Sequence, residues 1–133
     1  MQEEQYIKID EDGNKFYYKN KRMTIEHRLD GPAIKWADGS KEWWVDGKRH
    51  RLDKPAVEWV NLVNGGKVWW VDGELHRLNG PAVEYAGEYK EWWVEGKRLS
   101  ENEFNALSKT LELTLDQIAA KFGVDVKNLK IIK

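Results

Sequence analysis

His27 to Arg49 reads HRLDGPAIKWADGSKEWWVDGKR, His50 to Leu75 reads HRLDKPAVEWVNLVNGGKVWWVDGEL, and His76 to Arg98 reads HRLNGPAVEYAGEYKEWWVEGKR. These are three copies of one unit, and self-similarity at such a period marks an array of stacked supersecondary elements. Unit two is longer by three residues, all of them between Trp59 and Trp69. The step from the second Trp of each unit to the start of the next (Trp44 to His50, Trp70 to His76, Trp93 to Leu99) never changes. Insertion is tolerated where a loop lies, so each unit has its loop ahead of the Trp-Trp pair.

The segments around that loop are short, β-branched and aromatic: Pro32 to Trp36 before it and Lys41 to Val45 after it. Ala37 to Ser40 and Asp46-Gly47 supply turn signals, so each unit is a β-hairpin and the His-Arg segment is the connection onward. Pro32, Pro55 and Pro81 open strands, where a missing N–H is tolerated. The residue before a proline is extended, and Lys54 stands there where units one and three have Gly31 and Gly80. A degenerate half-unit precedes the array, with Phe16 to Arg22 echoing Trp43 to Arg49. Adding Tyr6–Ile9 gives about eight strands in one antiparallel meander. The expected class is mainly β with a small α tail, divided into N-terminal strands (1–26), the hairpin array (27–99) and a C-terminal helical cap (100–133).

The pattern HRLDGPA, an aromatic, a DG turn and WWVDGK resembles the HRxxGPA-type repeats of small bacteriophage proteins. More loosely it is similar to MORN-variant repeats, hairpin units that build a ribbon-like sheet, although the His-Arg-Leu-Asp start departs from them. The resemblance covers 27–99 and implies a phage accessory protein that binds something. It names no catalytic residue.

With Ala37 to Ser40 as the turn, strand alternation gathers Ile34, Trp36, Trp43 and Val45 on one face. Val57, Trp59, Trp69, Val71, Val83, Tyr85, Trp92 and Val94 follow in the later units. The opposite face collects Lys35, Glu42, Asp46, Glu58, Asp72, Glu84, Glu91 and Glu95, with one tryptophan per unit among them: Trp44, Trp70 and Trp93. An apolar face needs a cover, because burying each large side chain is worth about 1.5–3 kcal/mol. The tail is the expected cover, with a homodimer as the alternative. Ser100 to Glu103 reads as a capping box opening a helix with Phe104 and Leu107 on one side, and Thr114 to Gln117 as a second. Gly123 stops the second helix, while Thr110–Leu113 and Leu129–Ile132 read as short strands. Leu115 to Ile132 also fits a helix-turn-helix template and, about equally, is similar to the first half of a LysM module. Its second helix lacks an Arg to hold phosphates, so a packed cap is the reading and DNA binding is not expected.

Composition removes several classes. Net charge is −1, from 22 basic and 23 acidic residues, without the strong positive balance of proteins that grip nucleic acid electrostatically. Cysteine is absent, which removes disulfides and thiolate chemistry. No apolar run approaches the ~20 residues of a membrane helix and the start lacks a signal-peptide core, so the expected address is the cytoplasm. His27, His50 and His76 recur two strands apart, about 9.6 Å, too far to share one metal ion; they read as braces between repeats. Ser40, Ser100 and Ser108 sit in no nucleophile motif, and no cofactor motif is present. The expectation is a non-enzyme.

That leaves Trp44, Trp70 and Trp93 with Arg28, Arg51 and Arg77. Two readings stand: each Arg lies over a Trp of the next unit as a cation–π brace, or the row is an exposed aromatic binding face. The functional expectation is a repeat-type interaction protein, and the phage resemblance implies that it docks on a bacterial host or defence protein and inhibits it. The alternative is a nucleotide or nucleic-acid binder that stacks bases on the tryptophans and holds phosphates with the arginines.

Overall fold

Asp46-Gly47, Asp72-Gly73 and Glu95-Gly96 all have positive φ at both residues, at 51° and 76–80°. That is the type I′ turn whose twist matches a two-residue hairpin. In the computed structural model, which describes residues 4–61, 63 and 65–110, each of these turns closes the second half of a unit. Among the described residues the strands are β1 (Tyr6–Ile9), β2 (Lys15–Tyr18), β3 (Ile34–Lys35), β4 (Lys41–Glu42), β5 (Trp44–Val45), β6 (Lys48–Arg49) and β7 (Val57–Trp59). They continue as β8 (Gly66–Val68), β9 (Trp70–Val71), β10 (Glu74–Leu75), β11 (Val83–Tyr85), β12 (Tyr89–Val94) and β13 (Lys97–Leu99). The main sheet runs β1-β2-β3-β4-β7-β8-β11-β12-β13 with antiparallel neighbours, and β5–β6 and β9–β10 are separate two-stranded ribbons. The protein is a mainly β hairpin meander with a short C-terminal helix, in more and shorter strands than the expected eight.

The extra breaks fall at Trp43 and Trp69, where the chain leaves the main sheet for its ribbon. Their N–H groups donate to the Ala56 and Ala82 carbonyls of the next unit, each at 2.8 Å. Their own carbonyls accept from His50 N–H at 3.0 Å and His76 N–H at 3.1 Å. The following residues, Arg51 and Arg77, donate to Trp70 and Trp93 at 3.0 Å. The His-Arg dipeptide therefore ties each unit backward through His and to its own ribbon through Arg. The alanines after the prolines, Ala33, Ala56 and Ala82, are fully buried, and Val57, Val68 and Val83 form the core cluster against which Trp59, Trp70, Leu75 and Trp93 pack.

Two details differ from the sequence reading. The half-unit is offset by one residue: Tyr17, not Phe16, occupies the place of Trp43, donating to Ala33 and accepting from His27. More consequentially, the return strands carry the opposite face. Ile34 lies directly across from Glu42, Val57 from Val68, and Val83 from Glu91, and residues directly opposite share a face. The first turn holds three residues, not four, because Gly39 takes φ 96° and Ser40 returns as the partner of Trp36. This is the three-residue hairpin with a left-handed third position. Unit two's three extra residues make it a six-residue loop, with Trp59 paired to Gly66. Trp44, Trp70 and Trp93 consequently join the Ile34–Val57–Val83 face, and Trp43, Trp69 and Trp92 turn away from it.

The tail is helical over 101–110. Ser100 Oγ accepts from Glu103 N–H at 3.1 Å and Glu103 Oε1 from Ser100 N–H at 2.9 Å, the expected capping box. Phe104 is buried and Leu107 half-buried. The second capping box, the helix-turn-helix template and the two short tail strands lie outside the described residues, apart from Thr110.

Candidate binding site

The paired tryptophans face two different ways, and each side has its own chemistry. On one side the arginines close over the first aromatic of the preceding unit. The Arg28 guanidinium carbon lies 4.0 Å from the Tyr17 ring centre, and those of Arg51 and Arg77 lie 3.7 Å from Trp43 and Trp69. The brace thus runs backward along the array, and onto a different tryptophan row from the one expected. The donors are also committed. Arg28, Arg51 and Arg77 donate to the Pro32, Pro55 and Pro81 carbonyls at 3.0–3.2 Å. Arg51 and Arg77 reach Glu58 and Glu84 as well, and Arg28 and Arg77 reach Asp30 and Asn79.

This packing explains the glycines of the GPA motif. A Cβ on Gly31 or Gly80 would sit 2.9 Å from the guanidinium carbon of Arg28 or Arg77. Unit two, with Lys54 in that place, takes φ 63° at Asp53 instead, a left-handed turn that Asp tolerates better than most residues. The histidines hold the other end of each unit. Nδ1 of His27, His50 and His76 accepts the backbone N–H of Asp46, Asp72 and Glu95 at 2.9–3.0 Å, pinning the I′ turn. Among the described residues no group of His, Asp and Glu has metal-binding geometry.

On the opposite side Trp44 and Trp93 each belong to a polar clamp that alternation had concealed, and Trp70 holds the equivalent place in unit two. Glu42, only 3% exposed, accepts from Trp36 Nε1 at 3.1 Å, Trp44 Nε1 at 2.9 Å and Arg49 Nε at 3.1 Å. Arg49 lies between two of the tryptophans, 5.1 Å from the Trp44 ring centre and 5.4 Å from that of Trp70. In unit three Glu91 plays the same part, accepting from Trp93 Nε1 at 2.8 Å and from the Tyr89 hydroxyl, with Arg98 3.6 Å away. Those bonds, the one from Tyr89 first and that from Trp93 second, hold the Glu91 carboxyl below the usual carboxylate range.

Unit two breaks the pattern. Val68 stands where Glu42 and Glu91 stand, and Leu75 where Arg49 and Arg98 stand. The smaller apolar pair opens a pocket of about 400 Å³ with Val57, Val68 and Val83 as its floor. Trp59, Trp70, Leu75, Tyr85 and Tyr89 wall it, and Arg49 and Glu91 also line it. Tyr85 and Tyr89 stack with ring centres 5.8 Å apart and are 42% and 48% exposed. Gly66, opposite Tyr85, lets that ring cross the strand: a Cβ there would meet the ring at 2.4 Å.

Of the sequence-predicted residues, Trp70 lines this pocket, Trp44 and Trp93 flank it through the clamps, and Arg28, Arg51 and Arg77 lie on the other side of the chain. Sequence reasoning missed Glu42, Arg49, Trp59, Tyr85, Tyr89 and Glu91. A signal for part of this set was present: the units read Glu42/Arg49, Val68/Leu75 and Glu91/Arg98, each pair seven apart and changed together. Compared with known proteins, the chain matches no family model, no curated protein and no solved structure. Among the described residues no helix is long and apolar enough to cross a membrane.

Proposed function

We propose that this is a non-enzymatic, repeat-type interaction protein that docks on a bacterial protein through the aromatic pocket of units two and three. The observation that carries the reading is the exposed, stacked Tyr85–Tyr89 pair beside Trp59 and Trp70 over an apolar floor. Rigid aromatics around a concave apolar centre are the residue types and shape that dominate interface energetics. The phage origin, the host cytoplasm as its place of action and the inhibition of a host or defence factor rest on the HRxxGPA resemblance. The nucleotide alternative wants indole faces and arginine donors on one surface. Arg28, Arg51 and Arg77 are instead stacked and hydrogen-bonded away from the Trp44–Trp70–Trp93 side, and Arg49, which does lie on that side, is bonded to Glu42, which favours a protein partner.

The test is capture from bacterial lysate with wild type and a folded Trp59→Ala/Tyr85→Ala/Tyr89→Ala variant, at two salt concentrations, with eluates analysed for proteins and nucleotides. A protein lost with the variant and retained at high salt supports the reading. A nucleotide whose retention collapses with salt, the mark of phosphate contacts, or identical eluates from both forms, removes it.

A further inference from the structure

The pocket occupies the position of a missing carboxylate. In unit one two indole N–H groups, from Trp36 and Trp44, converge on Glu42. Trp59 and Trp70 hold the equivalent positions in unit two, and the residue between them is Val68. Both indoles line the pocket and pack against the valine cluster. Among the described residues neither Trp59 nor Trp70 donates its N–H to any group of the chain. Arg49, bonded to Glu42 and lying over Trp70, and Glu91, bonded to Trp93 and Tyr89, also line this pocket. The fold thus offers two indole donors around an apolar hollow, with one charge of each sign at its margin already bonded within its own unit, in a frame that elsewhere supplies its own glutamate.

We propose that this pocket binds a glutamate side chain of the partner protein, inserted where Glu42 and Glu91 sit in the neighbouring units. The inference rests on the docking reading above and names what that surface selects. A carboxylate is acceptor-only and takes two donors at once. Charge-assisted bonds of this kind are roughly twice as strong as neutral ones, so an anion is preferred over its amide. The walls of Trp59, Tyr85 and Tyr89 accept an apolar neighbour of that glutamate on the partner, and the array's own glutamates sit among aromatics in the same way. Pockets of about 300–1,000 Å³ that pair an apolar lining with a few convergent polar groups are the usual form of a specific site.

The probe is a blocked tripeptide with glutamate between two phenylalanines, against the same peptide carrying glutamine, titrated into the full chain while the indole N–H resonances are followed. The glutamate peptide should shift Trp59 and Trp70, leave Trp36 and Trp44 in place, and bind at least about threefold more tightly than the glutamine peptide. Val68→Glu supplies the missing carboxylate internally. It should move the Trp59 and Trp70 signals without peptide, abolish peptide binding and keep the fold. Val68→Met, which occupies the place of the inserted carboxylate with no charge, should also abolish binding while leaving those signals near their free positions. Equal binding of the two peptides, absence of shifts at Trp59 and Trp70, undiminished binding by Val68→Glu, or failure of that variant to fold would each overturn the proposal. It fails separately from the docking reading. A lysate partner captured equally by wild type and Val68→Glu, but not by the aromatic triple variant, removes the carboxylate pocket and leaves the docking face standing.

Discussion

Glu42→Val should be among the most costly single substitutions in the array, and Arg49→Leu should partly rescue it. Glu42 is almost fully buried and accepts three bonds, two from indoles and one from a guanidinium. Removing one partner of a buried pair costs about 3–5 kcal/mol, because the other charge stays behind uncompensated. Here the Arg49 side chain is 33% exposed, which places Glu42→Val near the lower end, at about 3 kcal/mol. Arg49→Leu alone leaves a buried carboxylate held by two neutral donors and should cost about 2 kcal/mol. The double variant gives unit one the Val68/Leu75 composition that unit two already folds with. Exchanging a buried ion pair for apolar groups is often near neutral, so the double should cost no more than about 2 kcal/mol, a coupling of at least about 3 kcal/mol. Urea unfolding followed by far-UV circular dichroism measures all four proteins, with Trp fluorescence as a second probe and constant slopes as the condition for comparison. A double variant that costs the sum of the singles would show that the two residues act independently. It would also break the equivalence of positions 42 and 68 on which the pocket argument stands.

Three further outcomes are expected. Gly80→Ala should destabilise by about 1–2 kcal/mol, because its methyl would displace the Arg77 guanidinium from Trp69; the check is a thermal melt, and Lys54→Gly, where no such contact has to be relieved, should fall within about 0.5 kcal/mol of wild type. Glu88 stands at φ 69° in the place that Gly39 fills in unit one, so Glu88→Gly should raise stability by about 0.5–1 kcal/mol as left-handed strain is removed. Glu91 has a folded-state pKa below its unfolded value. Its contribution is therefore full above the ordinary glutamate range and is lost as pH falls through the depressed value. A carboxylate NMR titration should give Glu91 a midpoint below the ordinary glutamate value, and Tyr89→Phe should raise it.

Much of the architecture was legible because local chemistry enforces it. Asp46-Gly47 and its two counterparts are I′ turns wherever they occur, prolines open strands, Ser100 and Glu103 cap a helix, and a fixed period makes three equivalent units. The Arg28, Arg51 and Arg77 stacks were legible as braces of some kind, but not in direction. A guanidinium reaches an aromatic several residues away in space, and only the pairing of units decides which ring lies beneath it.

The sequence by itself determined the repeat, the hairpins and the position of the variable loop, since these follow from turn residues and spacing along the chain. Tertiary structure alone decided which tryptophan of each pair faces the valine cluster. Counting Ser40 into the turn or out of it changes the loop by one residue, and a period-two strand then exchanges its faces. Gly39 at φ 96° settles that count, and with it Glu42 moves from an expected solvent face into a buried clamp and Glu91 into a half-buried one. The pocket arises at the one unit where the clamp is replaced by valine and leucine. Its site exists only once Trp59, Trp70, Tyr85 and Tyr89, drawn from four strands, are brought around Val68.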